Sequence, residues 1–155
     1  MNKLFEPTIP SNGLDDWYAG VFLVNTKTRK VPLVRDQKKD NPRWKFPGGG
    51  KEGKETPEET VVRELRQETG LIIDEQDLIL IYEGDKSNYR APHTMFLFMI
   101  CVEDTSDLIP VGDEGEDVRE FDLADLPGMV GIATEDGLLF SHWTPVKDIV
   151  MQALA

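Results

Sequence analysis

Apolar and polar positions fall along this chain in blocks whose lengths and spacings predict strands and two helices. Trp17 to Val24 (WYAGVFLV) is rich in aromatic and β-branched residues and predicts a strand. Polar Asn25 to Lys30 predicts a turn, and Val31 to Arg35 the returning arm of a hairpin. Asp36 to Arg43 is a charged loop leading to Trp44. Further on, Asp77 to Glu83 (DLILIYE) predicts a strand, and Gly84 to Pro92 a loop carrying Lys86, Tyr89 and Arg90. His93 to Val102 (HTMFLFMICV) is apolar enough for a strand buried on both faces. Glu103 to Glu116 is a long acidic loop, Asp117 to Leu123 a strand, Ala124 to Leu126 a short turn, and Gly128 to His142 irregular.

Two segments carry helix signals instead. Thr56 suits an N-cap, Pro57 the first helical position, and Glu59 completes a capping box. Gly70 suits the left-handed position that ends a helix, so the spacing predicts a helix over 57–69. Val61, Val62 and Leu65 give it an apolar side. Thr144 as cap and Pro145 at the first position predict a last helix running to about Leu154, with Val146, Ile149 and Val150 inward. Strands on both sides of a central helix, with a second helix at the end, predict an α/β fold. Its form is an α/β/α sandwich around a mixed sheet. Residues 1–155 read as a single domain, with 1–15 a polar N-terminal arm.

Composition narrows the function. The net charge of −12 argues against electrostatic binding of long nucleic acid. The charge is uneven: Lys and Arg gather in the first third, acids between Glu103 and Asp125. No apolar run approaches the roughly 20 residues that cross a bilayer, and Met1 to Pro10 lacks a signal pattern, so the expectation is a cytoplasmic protein without a membrane partner. The single Cys101 excludes an internal disulfide and, lying in an apolar run, is expected to be a buried thiol. A homodimer is compatible with all of this.

The chemistry gathers between Trp44 and Ile72. On the predicted helix Glu64, Gln67 and Glu68 share one face, and Arg63 is placed to brace Gln67. Two carboxylates on one turn suit a hard divalent cation such as Mg²⁺ or Mn²⁺. Pro47-Gly48-Gly49-Gly50 lets the backbone come close, offering carbonyls to metal and N–H groups to phosphate. Taken alone, the same helix also reads as a solvated surface helix with i,i+4 charge pairs.

The spacing adds more. Gly49, five residues, Glu55, seven residues, then Arg63-Glu64-Leu65-Arg66-Gln67-Glu68-Thr69-Gly70-Leu71 resembles the Nudix box, the signature of the Nudix (MutT-like) hydrolases. Gln67 stands where that pattern has a glutamate; every other fixed position matches. The resemblance implies an α/β/α sandwich and a Mg²⁺- or Mn²⁺-dependent enzyme. Such an enzyme hydrolyses a nucleoside diphosphate linked to a moiety X, with a small nucleotide as substrate. It implies that Glu64 and Glu68 bind metal and act in catalysis, and that the carbonyl of Gly48 or Gly49 completes the metal shell. Gln67 would be a weaker ligand, and Arg63 and Glu55 would brace the site.

The resemblance also implies a further carboxylate, as ligand or general base, from a loop outside the box, here Val111 to Glu120. Glu114 is the first candidate and Glu116 the second, with Glu64 the alternative base. For the substrate, Arg35, Lys45 and Arg90 are candidates for phosphate, and Tyr18, beside Trp17, for stacking on a base. Neither His93 nor His142 is given a role. Gln67 keeps a competing expectation open, that of a nucleotide-holding module that does not cleave.

Overall fold

The structure, a computed structural model, describes residues 5–10, 16–85 and 94–155. Six strands form one mixed sheet: β1 (Trp17–Asn25), β2 (Lys30–Arg35), β3 (Gly48–Gly50), β4 (Ile79–Asp85), β5 (Thr94–Val102) and β6 (Asp117–Asp122). Their order is β4-β5-β1-β2-β6, with β3 paired to β1. β1 and β5 run parallel, Trp17 opposite Thr94 and Asn25 opposite Val102; every other named pair is antiparallel. The helices are α1 (Pro57–Thr69), α2 (Leu126–Met129), α3 (Phe140–Trp143) and α4 (Lys147–Leu154).

Why β1 reads as one unbroken apolar run follows from the two-residue period of a strand. Trp17, Ala19, Val21 and Leu23 face α1, where they pack with Val61, Leu65, Phe96 and Phe98. Phe22 and Val24 face the opposite layer, with Trp44, Leu126, Trp143, Val146 and Val150. Both faces are covered, so no polar position is needed. Each large side chain fully buried in these two cores contributes about 1.5–3 kcal/mol. The predicted sandwich and its mixed sheet are the observed architecture.

Several expectations change. The glycine loop is in fact β3, hydrogen-bonded to β1 through Tyr18, Ala19 and Gly20. The stretch from Gly128 to His142 holds the end of α2 and most of α3. The last helix is split and does not begin at Thr144. That residue is already helical, and its hydroxyl donates back to the Phe140 carbonyl at 3.1 Å instead of capping forward. α4 starts after Val146, without a side-chain cap. Cys101 is exposed: on β5 it continues the Leu97 and Met99 row past the end of the covering layer. Lys86, Tyr89, Arg90 and His93 lie outside the described residues. Among those described, no helix is long and apolar enough to cross a membrane.

Candidate metal and phosphate site

β3 lies against α1, and glycine is what permits the approach. A Cβ on Gly49 would stand 2.3 Å from Glu64 Oε1; one on Gly48 would stand 2.4 Å from the Ala19 carbonyl. The capping box at Thr56 and Glu59 and the left-handed Gly70 fix where α1 starts and stops. Those limits set which side chains face the glycines.

Glu68 is only 6 % exposed, and its Oε1 accepts the Gly48 N–H at 2.7 Å. Burial pushes its carboxyl up to about 8; Lys45 opposes this, while Glu64 and Glu116 add to it. Glu64 is also held above the usual carboxylate range, burial outweighing the pull of Arg63. Arg63 is the hub of the brace. It bonds Glu55 at 2.6 Å, Glu64 at 2.9 Å, the Gly50 carbonyl at 2.9 Å and Gln67 Oε1 at 3.3 Å. Burial of Glu55 is outweighed by these bonds, which keep its carboxyl below the usual range, and Glu55 in turn raises Arg63.

The third acid comes from the loop before β6. That loop is tied to the free carbonyls at the end of α1: Asp113 N–H donates to Gln67 O and Ile109 N–H to Thr69 O, both at 2.9 Å. Within it, Glu116 is 7 % exposed and Glu114 is exposed. Glu114 contributes its N–H to Glu116 Oε1 at 3.1 Å. A Cβ on Gly112 would meet Glu116 Oε1 at 2.4 Å and the Glu68 carbonyl at 2.9 Å, so a second glycine makes room where loop and helix meet.

Glu64, half-buried, and Glu68 and Glu116, both buried, thus form a set of hard oxygen donors in which Glu64 and Glu116 both repel the Glu68 charge, with Arg63 paired to Glu64 and Lys45 acting on both Glu64 and Glu68. That is an environment a divalent ion would neutralise, and it suits the oxygen preference of Mg²⁺ or Mn²⁺. As the side chains stand, among the described residues no three His, Cys, Asp or Glu groups are already in ligating position. Arg63 holds one oxygen of Glu64 and Gly48 holds one of Glu68.

The other expected residues divide. Lys45 is half-buried beside the acids, with its ammonium 5.5 Å from the centroid of the Tyr18 ring. The Tyr18 hydroxyl lies 3.0 Å from where a Gly48 Cβ would be. Arg35 is otherwise engaged: it pairs with Asp117 at 3.0 Å, donates to the Glu135 carbonyl and lies over Trp44. Sequence reasoning passed over His142. It is fully buried, accepts the Phe46 N–H on Nδ1 at 3.2 Å, and sits edge-on to Tyr18. Only its place after an apolar run hinted at this.

The NUDIX domain family model matches residues 16–143. An ADP-ribose pyrophosphatase of Methanocaldococcus jannaschii is 32 % identical over 125 residues, which make up 79 % of this chain and 66 % of that protein. Nudix hydrolase 7 of Arabidopsis thaliana is 26 % identical, over 94 % of this chain and 44 % of its own length. The chain therefore spans about two thirds and less than half of these two relatives. Among solved structures, one from a study of MutT from Aliivibrio salmonicida and Vibrio cholerae superposes with a TM-score of 0.64 at 19 % identity, covering 89 % of this chain and 98 % of that one. The dihydroneopterin triphosphate pyrophosphohydrolase of E. coli gives 0.64 at 14 % identity, covering 88 % and 95 %. At those identities the superpositions speak for the fold alone. Taken with the family match over most of its length, the glycine strand, the braced helix and the acids facing them place this chain in the Nudix family.

Proposed function

We propose that the chain is a Mg²⁺- or Mn²⁺-dependent hydrolase of a small nucleotide, cleaving the diphosphate of a nucleoside diphosphate linked to X. The observation that carries this is the convergence of Glu64 and Glu68 on β3, with Glu116 close enough to act on the Glu68 charge and the Arg63 brace holding Glu64. Glu64, Glu68 and a Gly48 or Gly49 carbonyl would hold the metal, which when bound neutralises phosphate charge and acidifies water. Water oxygen forms the new bond to phosphorus, and the bridging oxygen departs with the other phosphate. The proton lost by the water goes to a carboxylate. Burial and position support Glu116 for this, ahead of the exposed Glu114, with Glu64 the alternative. Lys45 meets a phosphate oxygen.

Gln67 accepts a hydrogen bond from Arg63 and brings no charge, and it is the rest of the signature, with both Glu64 and Glu68 kept, that favours an enzyme over a module that only binds. The M. jannaschii relative, named for ADP-ribose, supports a nucleotide with a small X. The test is a phosphate-release screen of nucleoside triphosphates, dinucleotides and nucleotide sugars with Mg²⁺ and with Mn²⁺. Turnover of one class is expected. No turnover of any class by protein that still binds the metal would overturn the reading.

A further inference from the structure

Lys45 also lines a cleft of about 210 Å³, formed by the segment between β2 and β3 together with Leu139. Its cations are Lys39, Arg43 and Lys45, set against Asp36 and Asp40, so it carries excess positive charge on a chain of net charge −12. Pro42 and Leu139 add apolar wall. The loop is built rather than loose. Arg43 donates to the carbonyls of Asn41, Pro42 and Ala133, and Asp36 accepts the Lys38 N–H at 3.0 Å. Arg43 therefore contributes a fixed charge, its terminal nitrogens already taken. Among the described residues Lys39 and Lys45 make no hydrogen bond or ion pair through their ammonium groups, and Lys45 lies both in the cleft and within the field of Glu64 and Glu68.

Resting on the hydrolase reading above, we propose that this cleft receives X, and that X is small and ends in a single phosphate. The cleft is below the roughly 300–1,000 Å³ of sites that enclose a whole drug-sized ligand, so it takes one fragment of a nucleotide. A diphosphate held at the acids has Lys45 at its side, and Lys45 shares the cleft with Lys39, which makes Lys39 the partner for a further anionic group. With Lys45 shared between the diphosphate and the cleft, three cations stand against Asp36 and Asp40, an excess of one positive charge that admits one phosphate and no longer anion. Bare orthophosphate, as in a nucleoside triphosphate, and a phosphorylated sugar share this chemistry.

The experiment compares Lys39→Glu and Lys39→Gln with the parent, all with Mg²⁺ present, on three substrates: a nucleoside triphosphate, a nucleoside diphosphate linked to a sugar phosphate, and a nucleoside diphosphate linked to an uncharged sugar. Charge reversal is expected to lower kcat/KM for the better phosphate-ended substrate at least tenfold relative to the uncharged one, with Lys39→Gln intermediate. Equal effects on all three, or none, overturn the proposal. Calorimetric titration of the Mg²⁺-loaded protein with ribose 5-phosphate and with inorganic phosphate decides the matter without turnover. A tenfold weaker affinity of Lys39→Glu for the tighter of the two is expected, and unchanged affinity overturns it. If the substrate screen fails but this difference holds, the hydrolase reading falls and the cleft stands.

Discussion

Glu68 on α1 accepts the backbone N–H of Gly48 on β3 at 2.7 Å, and this bond joins the two halves of the site. Glu68→Gln keeps an acceptor for that N–H but removes the charge. Metal affinity and turnover should both fall, turnover by more than the roughly 10–100-fold seen when only an outer partner of a metal ligand is lost. Mg²⁺ titration of activity and calorimetry check this. Unchanged rates at limiting Mg²⁺ would refute the role.

The same carboxyl makes the metal-free protein pH-sensitive. Pushed up to about 8, Glu68 keeps its proton in the folded chain where the unfolded chain, with a value near 4.5, has lost it. The folded state then binds more protons, so stability falls as pH rises from about 4.5 to about 8, by at most about 1.4 kcal/mol per pH unit. Glu64, also raised, adds in the same direction. Melting temperatures in chelator should decline across this window, Glu68→Gln should flatten the decline, and saturating Mg²⁺ should raise Tm more at pH 8 than at pH 6.

Glu116 and Glu114 separate by burial. Glu116→Gln should lower kcat far more than KM, as expected of a group acting in the transition state. Glu114→Gln should change kcat by less than about threefold, since its backbone, not its side chain, touches the site. The reverse ranking would return the role to Glu114.

At Gln67 the side chain meets Arg63, and Gln67→Glu adds a charge there. Divalent-metal affinity should rise, because a charged oxygen competes better for a hard cation than an amide does. The metal-induced rise in Tm should grow with it. Identical metal affinity would place residue 67 outside the metal's reach.

His142 holds the segment just before β3 by accepting the Phe46 N–H. His142→Leu strands the buried Phe46 N–H, at a cost of about 1–3 kcal/mol, while His142→Asn offers an acceptor near the Nδ1 position. Thermal unfolding should show the loss in the first variant and partial recovery in the second.

Much of this was legible along the chain because it is local. Helix α1 announced itself through Thr56, Pro57, Glu59 and Gly70, residues that act on their own neighbours. The spacing of Glu64 and Glu68 likewise follows from the helical repeat. What escaped depends on partners distant in sequence. Glu114 and Glu116 look alike until the loop is fastened to Gln67 and Thr69, which turns one inward and the other out. Arg35 looks like a phosphate ligand until β6 brings Asp117 beside it. Thr144 and Pro145 carry a valid start signal, overridden because Thr144 is already taken up as the C-cap of α3.

The parallel pairing of β1 with β5 governs when the site comes into being. β3 is held by β1, and α1 packs on β1 and β3, yet β1 lacks its other neighbour until residues up to Val102 are present. Such distant parallel pairing is slow, because a long loop must close before any contact rewards it. On a growing chain the complete signature emerges well before β5, and waits. A chain stopped at Asp85 would display every residue of that signature and assemble no site.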